Sequence, residues 1–204
     1  ERAKSSLMKA VDLARSANPK ITAGSITTIE DCYESKSFPG RDAAEDTYGE
    51  NVEWFNEAGV DVILFETMGH LDEIDVALKS VNEKKTWLSL IVNDDDQLLS
   101  GHPMESVYEL AKYKVDVLML NCNTIDKTDQ SLQKMINNWG RDWGVYPNLG
   151  LTEPEPDGEM KEKVDDRSFS KIISKYLGMN PMVIGSCCGS TPKHTEMIYK
   201  LVNL

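Results

Sequence analysis

Two cysteines stand side by side between glycines in the stretch VIGSCCGSTP (183–192), in a chain that has only four. Adjacent Cα atoms lie about 3.8 Å apart, whereas a relaxed disulfide spans roughly 4.4 to 6.8 Å. Cys187 and Cys188 are therefore poorly placed to bond to each other, and their thiols are either packed or aimed at a third party. Cys122 closes another apolar run, VDVLMLNC. Three converging thiolates with one open position make a tetrahedral zinc site of the catalytic kind. Thiols buried simply because they pack well are the other reading, and spacing by itself leaves both open. A third possibility is a thiol nucleophile at Cys187 or Cys188, which needs a histidine base; His194 is the one within sequence reach. Glu66, in ILFETM, is a carboxylate set directly after apolar strand residues, suited to hold an amine, to act as a base, or to sit in solvent. Tyr146, in VYPNLG, offers a ring face to a cation or a cap to the core. Cys32 reads as a free loop thiol, and His70, His102 and His194 as surface residues. The acidic stretch NDDDQ (93–97) reads as a turn built on its own side chains rather than as a magnesium site.

These residues matter because of where the elements end. Apolar spacing of 3 and 4 marks a helix in RAKSSLMKAVDLARSA (2–17), stopped by Asn18-Pro19. Short apolar runs then alternate with amphipathic stretches: strands at ITAGSI (21–26), DVILFE (61–66), TWLSLIV (86–92), VDVLMLNC (115–122), WGVYPNLG (143–150) and MVIGSCC (182–188), with a helix between each pair and a last one at KHTEMIYKLVNL. Near-continuous apolar strands separated by helices imply a parallel sheet covered by helices. An open doubly wound sheet and a (β/α)8 barrel both fit. No glycine-rich turn follows the first strand, and the chain starts on a helix, which favours a barrel of which the first β-α-β segment is missing. In either fold the working face lies at the strand C-termini. Ser25, Glu66, Asn93, Asn121, Cys122, Asn123, Tyr146, Asn148, Cys187 and Cys188 all fall there. The acidic, Pro-rich loop 152–166 reads as a lid or surface excursion on that same side.

Composition narrows the classes. The 204 residues carry a net charge of −12 and are 40% apolar, enough for a sizeable core in one domain spanning 1–204. Such a charge argues against a nucleic-acid backbone as partner. No run of about 18 apolar residues proposes a membrane span. Four cysteines are too few for a disulfide scaffold and fit free thiols in a reducing, cytoplasmic setting.

Taken in order, AVDLARSA, TAGSI, AGVDVILFET, LSLIVNDDDQLLSGHP, LNCN, YPNLG and IGSCCGSTPKHTEMI resemble the homocysteine S-methyltransferase family, the homocysteine-binding domain shared by betaine–homocysteine methyltransferase and cobalamin-dependent methionine synthase. The resemblance implies a (β/α)8 TIM-type barrel with Zn2+ as cofactor, held by Cys122, Cys187 and Cys188. It implies that Glu66 holds the homocysteine amino group and that Asn121 supports the first ligand from beside it. Tyr146 is the candidate to hold a cationic donor. The implied reaction is methyl transfer from a cationic or cobalamin-type donor to the thiol of homocysteine, giving methionine. Its partners would be homocysteine, a small-molecule donor and, for an opened barrel with bare edges, a second copy of the chain. Two departures stand out: Ser186 occupies the place of a second glycine before the cysteine pair, and the family's first strand, with its Asp-Gly and Met-Gly motif, has no counterpart here.

Overall fold

A computed structural model describes residues 1–34, 37–152, 154–155 and 159–203 of the chain. Among the described residues seven helices and six strands alternate: α1 (Arg2–Ser16), β1 (Ala23–Ile26), α2 (Arg41–Ala58), β2 (Val62–Met68), α3 (Leu71–Ser80), β3 (Lys85–Leu90), α4 (Met104–Ala111), β4 (Val117–Asn121), α5 (Ile125–Trp139), β5 (Trp143–Tyr146), α6 (Asp166–Leu177), β6 (Val183–Ile184) and α7 (Pro192–Val202). The strands pair in chain order, β1-β2-β3-β4-β5-β6, and every pairing is parallel. The sheet is a curled half-barrel. Helix crossovers between consecutive parallel strands put all six strand C-termini on one rim.

Register is set at the opposite rim by a repeated device. In both VDV stretches the aspartate closes a two-way clasp with the strand before it. Thr22 N–H donates to Asp61 Oδ2 (2.7 Å) while Asp61 N–H donates to Thr22 O (2.8 Å). Thr86 N–H donates to Asp116 Oδ2 (2.8 Å) while Asp116 N–H donates to Thr86 O (2.8 Å). A one-residue slip would break the clasp and exchange the two faces of β2 and β4. Cations finish the same rim. Arg15 donates to Ala58 O (2.7 Å) and to Gly59 O at the end of α2, Lys84 to Val60 O (2.7 Å), Lys114 to Leu78 O near the end of α3 (3.1 Å) and Arg141 to Lys112 O just past α4 (2.5 Å). Each satisfies carbonyls left over at a helix C-terminus and sits at the negative end of its dipole.

The core follows from apolar residues on both faces of the strands: Ile63, Phe65, Leu88, Leu90, Leu118, Leu120 and Val145 are fully buried, and all five residues of β4 are inside. Among the described residues no helix is long and apolar enough to cross a membrane.

Several boundaries differ from the sequence expectation. The last strand, expected over 182–188, is two residues long. Gly185 N–H on Val145 O (3.0 Å) and Cys187 N–H on Pro147 O (2.9 Å) keep the parallel spacing, but Pro147 has no N–H to return a bond, so the two-way pairing stops. β5 stops at Tyr146 rather than 150, because Pro147 has no N–H to continue the pairing. α5 begins earlier than expected, at Ile125, where the Thr124 hydroxyl accepts from Lys127 N–H. Of the expected lid 152–166, residues 153 and 156–158 lie outside the described residues. The remainder returns antiparallel beside the end of β5, with Leu151 N–H on Glu162 O (3.0 Å) and Val164 N–H on Leu149 O (2.9 Å).

Candidate functional site

Cys122 follows the last residue of β4, and Cys187 and Cys188 lie in the turn after β6. The curl of the sheet brings them together: Cys122 Sγ is 2.7 Å from Cys187 Sγ and 3.4 Å from Cys188 Sγ, and all three sulfurs lie within 4.8 Å of one another. They form the one such cluster of metal-ligating side chains among the described residues, and the cysteines are free thiols. Three sulfurs on a tetrahedral zinc, with bonds of about 2.3 Å, stand about 3.8 Å apart, so this donor set fits a thiophilic ion. Local backbone makes the gathering possible. Cys122 adopts a left-handed conformation (φ 54°) that turns its side chain out of the strand, and Gly189 (φ 80°) closes the turn behind the pair, with Ser190 N–H on Cys187 O (3.2 Å). Only glycine adopts that φ freely.

The thiols share protons unequally. Hydrogen bonds from Cys122 and then Cys187 hold Cys188, the least buried of the three, well below the ordinary thiol range. Contacts with Cys187 and Cys188, reinforced by burial, push Cys122 far up.

Glu66 stands on β2, with both carboxylate oxygens occupied: Oε1 accepts from Ser25 Oγ of β1 and Oε2 from the Tyr146 hydroxyl of β5 (3.3 Å). Tyr146 thus serves the carboxylate, and burial, followed by the Glu66 charge, pushes its phenol above its ordinary value. The next residue, Thr67, is left-handed (φ 62°), an unusual conformation for a β-branched residue. Asn121 holds it there: its Oδ1 accepts from Thr67 N–H (3.1 Å) and from Ser89 Oγ (2.7 Å), and its Nδ2 donates to Thr67 Oγ1 (2.8 Å). Asn121 is fully buried and so links the strand leading to Cys122 with the strand bearing Glu66. Asn123 does the same between β3 and β4, donating to Leu90 O (3.1 Å) and accepting from Val92 N–H (2.9 Å).

Residues passed over by sequence complete the rim. Tyr33, in the loop after β1, donates to Cys122 O (3.3 Å); a ring in a loop at a strand C-terminus was its only signal. Neighbouring Cys32 is free and half-buried, its thiol pushed up to about 11 by burial and then by Asp31. The histidines differ from expectation, being partly buried rather than on the surface. His194 closes a capping box at the start of α7, with Nδ1 against Thr191 N (3.1 Å) and Nε2 toward Asp166 (3.6 Å). Nδ1 is taken up by the Thr191 cap, so this histidine serves the start of α7. His70 packs on Phe38 (4.6 Å between centroids) and lies 6.3 Å from His102. The NDDDQ stretch is a turn, as expected: Asn93 Oδ1 accepts from Asp95 and Gln97 N–H (both 3.0 Å), and Asp94 and Asp96 pair with Lys127 (3.1 Å) and Lys134 (2.9 Å) of α5. A cleft of about 280 Å³ lies at the far rim, lined by Lys84, Lys114 and Arg141. Those cations are committed to the helix ends described above.

Comparison with known proteins agrees with this geometry. The homocysteine S-methyltransferase family model matches residues 1–202. Homocysteine S-methyltransferase 3 of Zea mays is 26% identical over 173 residues, covering 78% of this chain and 49% of that protein. Selenocysteine methyltransferase of Astragalus bisulcatus is 22% identical over 167 residues, with the same coverage, 78% and 49%. The chain spans about half the length of these curated relatives. The apo crystal structure of the homocysteine methyltransferase MmuM from Escherichia coli superposes with a TM-score of 0.80 at 21% identity, covering 98% of this chain and 73% of that one. Its metallated form gives 0.79 at 22% identity, covering 97% and 70%. With the family model matched over 1–202, this chain belongs to the homocysteine S-methyltransferase family.

Proposed function

We propose that this chain is a homocysteine-binding domain whose Cys122, Cys187 and Cys188 hold Zn2+, and that it takes part in methyl transfer to the thiol of homocysteine to give methionine. The observation carrying the proposal is the approach of three sulfurs from two separate strand ends to within 4.8 Å of one another. The family and the metallated neighbour support it. Zinc at this position supplies a Lewis acid that favours the thiolate form of a bound thiol. The remaining work falls to the chain's own side chains. Glu66 offers its carboxylate to the substrate ammonium, prealigned by Ser25 and Tyr146, which keeps the substrate sulfur in line with the donor methyl. Asn121 and Thr67 keep that carboxylate on the same rim as the thiols. In the transfer a sulfur–methyl bond forms as the donor's bond to that methyl breaks, and a cationic donor leaves neutral. The Tyr146 ring, beside Glu66, is the surface we assign to such a cation.

The test is metal analysis of the purified chain with homocysteine titration. About one zinc per chain, lost in Cys122→Ser together with homocysteine binding, is the expected result. Full homocysteine binding by metal-free protein would sink the proposal.

A further inference from the structure

The geometry points to Asn148 as the residue that sets the position of the three thiols relative to one another, acting as a splint between the two chain segments that carry them. This inference rests on the zinc reading above and concerns a side chain that contributes no sulfur.

The stretch 146–149 lies between the ligand-bearing segments and bonds to both. Toward the first, Cys122 N–H donates to Tyr146 O (3.4 Å) and Asn148 N–H to Asn123 O (3.0 Å). Toward the second, Cys187 N–H donates to Pro147 O and Leu149 N–H to Cys188 O (both 2.9 Å). Backbone alone thus holds the two segments on either side of a common spacer. The Asn148 side chain adds a bridge between the backbones of Cys122 and Cys188. Its Nδ2 donates to Cys122 O (2.8 Å), and its Oδ1 accepts from Cys188 N–H (3.2 Å). It is fully buried, so water cannot replace either partner.

Both halves of the amide are needed. The Cys122 carbonyl accepts, so it must face a donor; the Cys188 amide donates, so it must face an acceptor. An aspartate of the same shape keeps the second bond but sets a carboxylate oxygen against the Cys122 carbonyl. The Cys122 link carries a particular load, because that residue is held at φ 54°, where an L side chain is disfavoured. Its carbonyl orientation, and with it the direction of Sγ, is fixed by Asn148 and by the Tyr33 hydroxyl (3.3 Å). Released from both, Cys122 relaxes toward ordinary strand geometry and its sulfur swings away from Cys187 and Cys188. Ordering the donor atoms before the ion arrives is how such outer partners raise metal affinity.

The experiment measures the Zn2+ dissociation constant by competition with a chromophoric chelator for the parent chain, Asn148→Ala, Asn148→Asp, Tyr33→Phe and Cys122→Ser. Far-ultraviolet circular dichroism of each metal-free protein and the sulfur-to-metal charge-transfer band of each Co2+ form are recorded alongside. The expected result is a dissociation constant raised about 10–100-fold in Asn148→Ala, at least as much in Asn148→Asp, and by less in Tyr33→Phe. The metal-free fold and the thiolate charge-transfer band should be retained. Constants within threefold of the parent in both Asn148 variants overturn the inference. Should those variants fail to fold, hydrogen exchange of the Cys188 amide in the metal-free parent decides: strong protection supports the splint, and exchange at the rate of an unbonded amide overturns it. A parent chain that binds Zn2+ no better than Cys122→Ser defeats the metal reading itself, a separate result.

Discussion

Gly144, in the middle of β5, gives a strict test of how the cysteine pair is positioned, because it touches none of the site residues. A Cβ at this position would stand 2.8 Å from Val183 Cβ, 2.8 Å from Val183 O and 2.9 Å from Met119 Cγ. Ordinary carbon contacts are about 3.5–4.0 Å, so alanine here demands a movement of roughly 0.6–1 Å. The Met119 side chain can yield; the Val183 carbonyl is backbone and moves only if β6 moves. β6 is joined to β5 by Gly144↔Val183 and Val145↔Ile184 alone, with Met182 N–H on Trp143 O (2.8 Å) and Gly185 N–H on Val145 O (3.0 Å). Overpacking of this kind costs about 1–3 kcal/mol, and restriction of the unfolded chain by alanine offsets about 0.4–1 kcal/mol. The net loss for Gly144→Ala is therefore about 1.3 kcal/mol at the midpoints of these ranges, with bounds of about 0 and 2.6 kcal/mol. At about 2–4 °C per kcal/mol for a chain of this size, that central value lowers the thermal midpoint by about 3–5 °C. Gly49, inside α2 with nothing within 4 Å of an added Cβ, is the matched control: Gly49→Ala should gain about 0.8–1 kcal/mol. The assay is thermal unfolding followed by circular dichroism, with zinc affinity measured on the same samples. Gly144→Ala should lower both, and Gly49→Ala should raise the midpoint while leaving zinc affinity alone. A Gly144→Ala protein as stable as its parent, or one that loses stability while binding zinc unchanged, would refute the claim that the β5–β6 spacing places Cys187 and Cys188.

Three other outcomes follow from contacts elsewhere. Glu66→Gln removes the charge that we assign to the substrate ammonium, and hydrogen bonds to charged groups contribute about 1.5–3 kcal/mol; calorimetry should show homocysteine affinity down roughly 10–150-fold with zinc stoichiometry unchanged. Glu73 is buried and accepts from the Tyr48 hydroxyl (2.8 Å) and Ile29 N–H (3.0 Å). Glu73→Leu strands both donors, at about 1–3 kcal/mol each, and Glu73→Gln, which keeps an acceptor, should lose much less in urea unfolding. Asp165 caps α6 by accepting from Ser168 N–H (2.7 Å), a bond that lowers its pKa below the ordinary 3.8. A lowered folded value means stability present above pH 3.8 and lost as pH falls through the folded value. Asp165→Asn retains a cap without that titration, so its stability should decline less steeply with acid; parallel acid limbs would contradict the assignment.

How far the residues could be read in advance depended on whether the physics was local. The alternation of helix and strand was legible because apolar periodicity and strand length are local signals, and the six strands fall where apolar runs stand. Ends were less legible where a single atom decided them: the missing N–H of Pro147 stops β5, and the Thr124 hydroxyl starts α5 early. The cysteines were visible as candidates, yet their spacing alone could not distinguish ligation from packing. His194 looked available as a base until its Nδ1 was seen to serve the Thr191 cap. Asn121 drew its supporting role from the family resemblance alone, Asn148 was read only as a polar residue at a strand end, and Thr67 was not singled out.

The sequence by itself determined a helix-covered parallel sheet, the rim at which chemistry would sit, and the residue types gathered there, because each of these follows from side-chain pattern and from the direction in which a strand runs. Only the tertiary structure decided that sulfurs from strands two apart approach to 2.7 and 3.4 Å, that Glu66 is clamped by Ser25 and Tyr146, and that one buried amide bridges the two ligand segments. Those distances depend on the curl of the sheet and on left-handed turns at Thr67 and Cys122. Such turns are unfavourable for those residues taken alone and persist because neighbouring strands hold them.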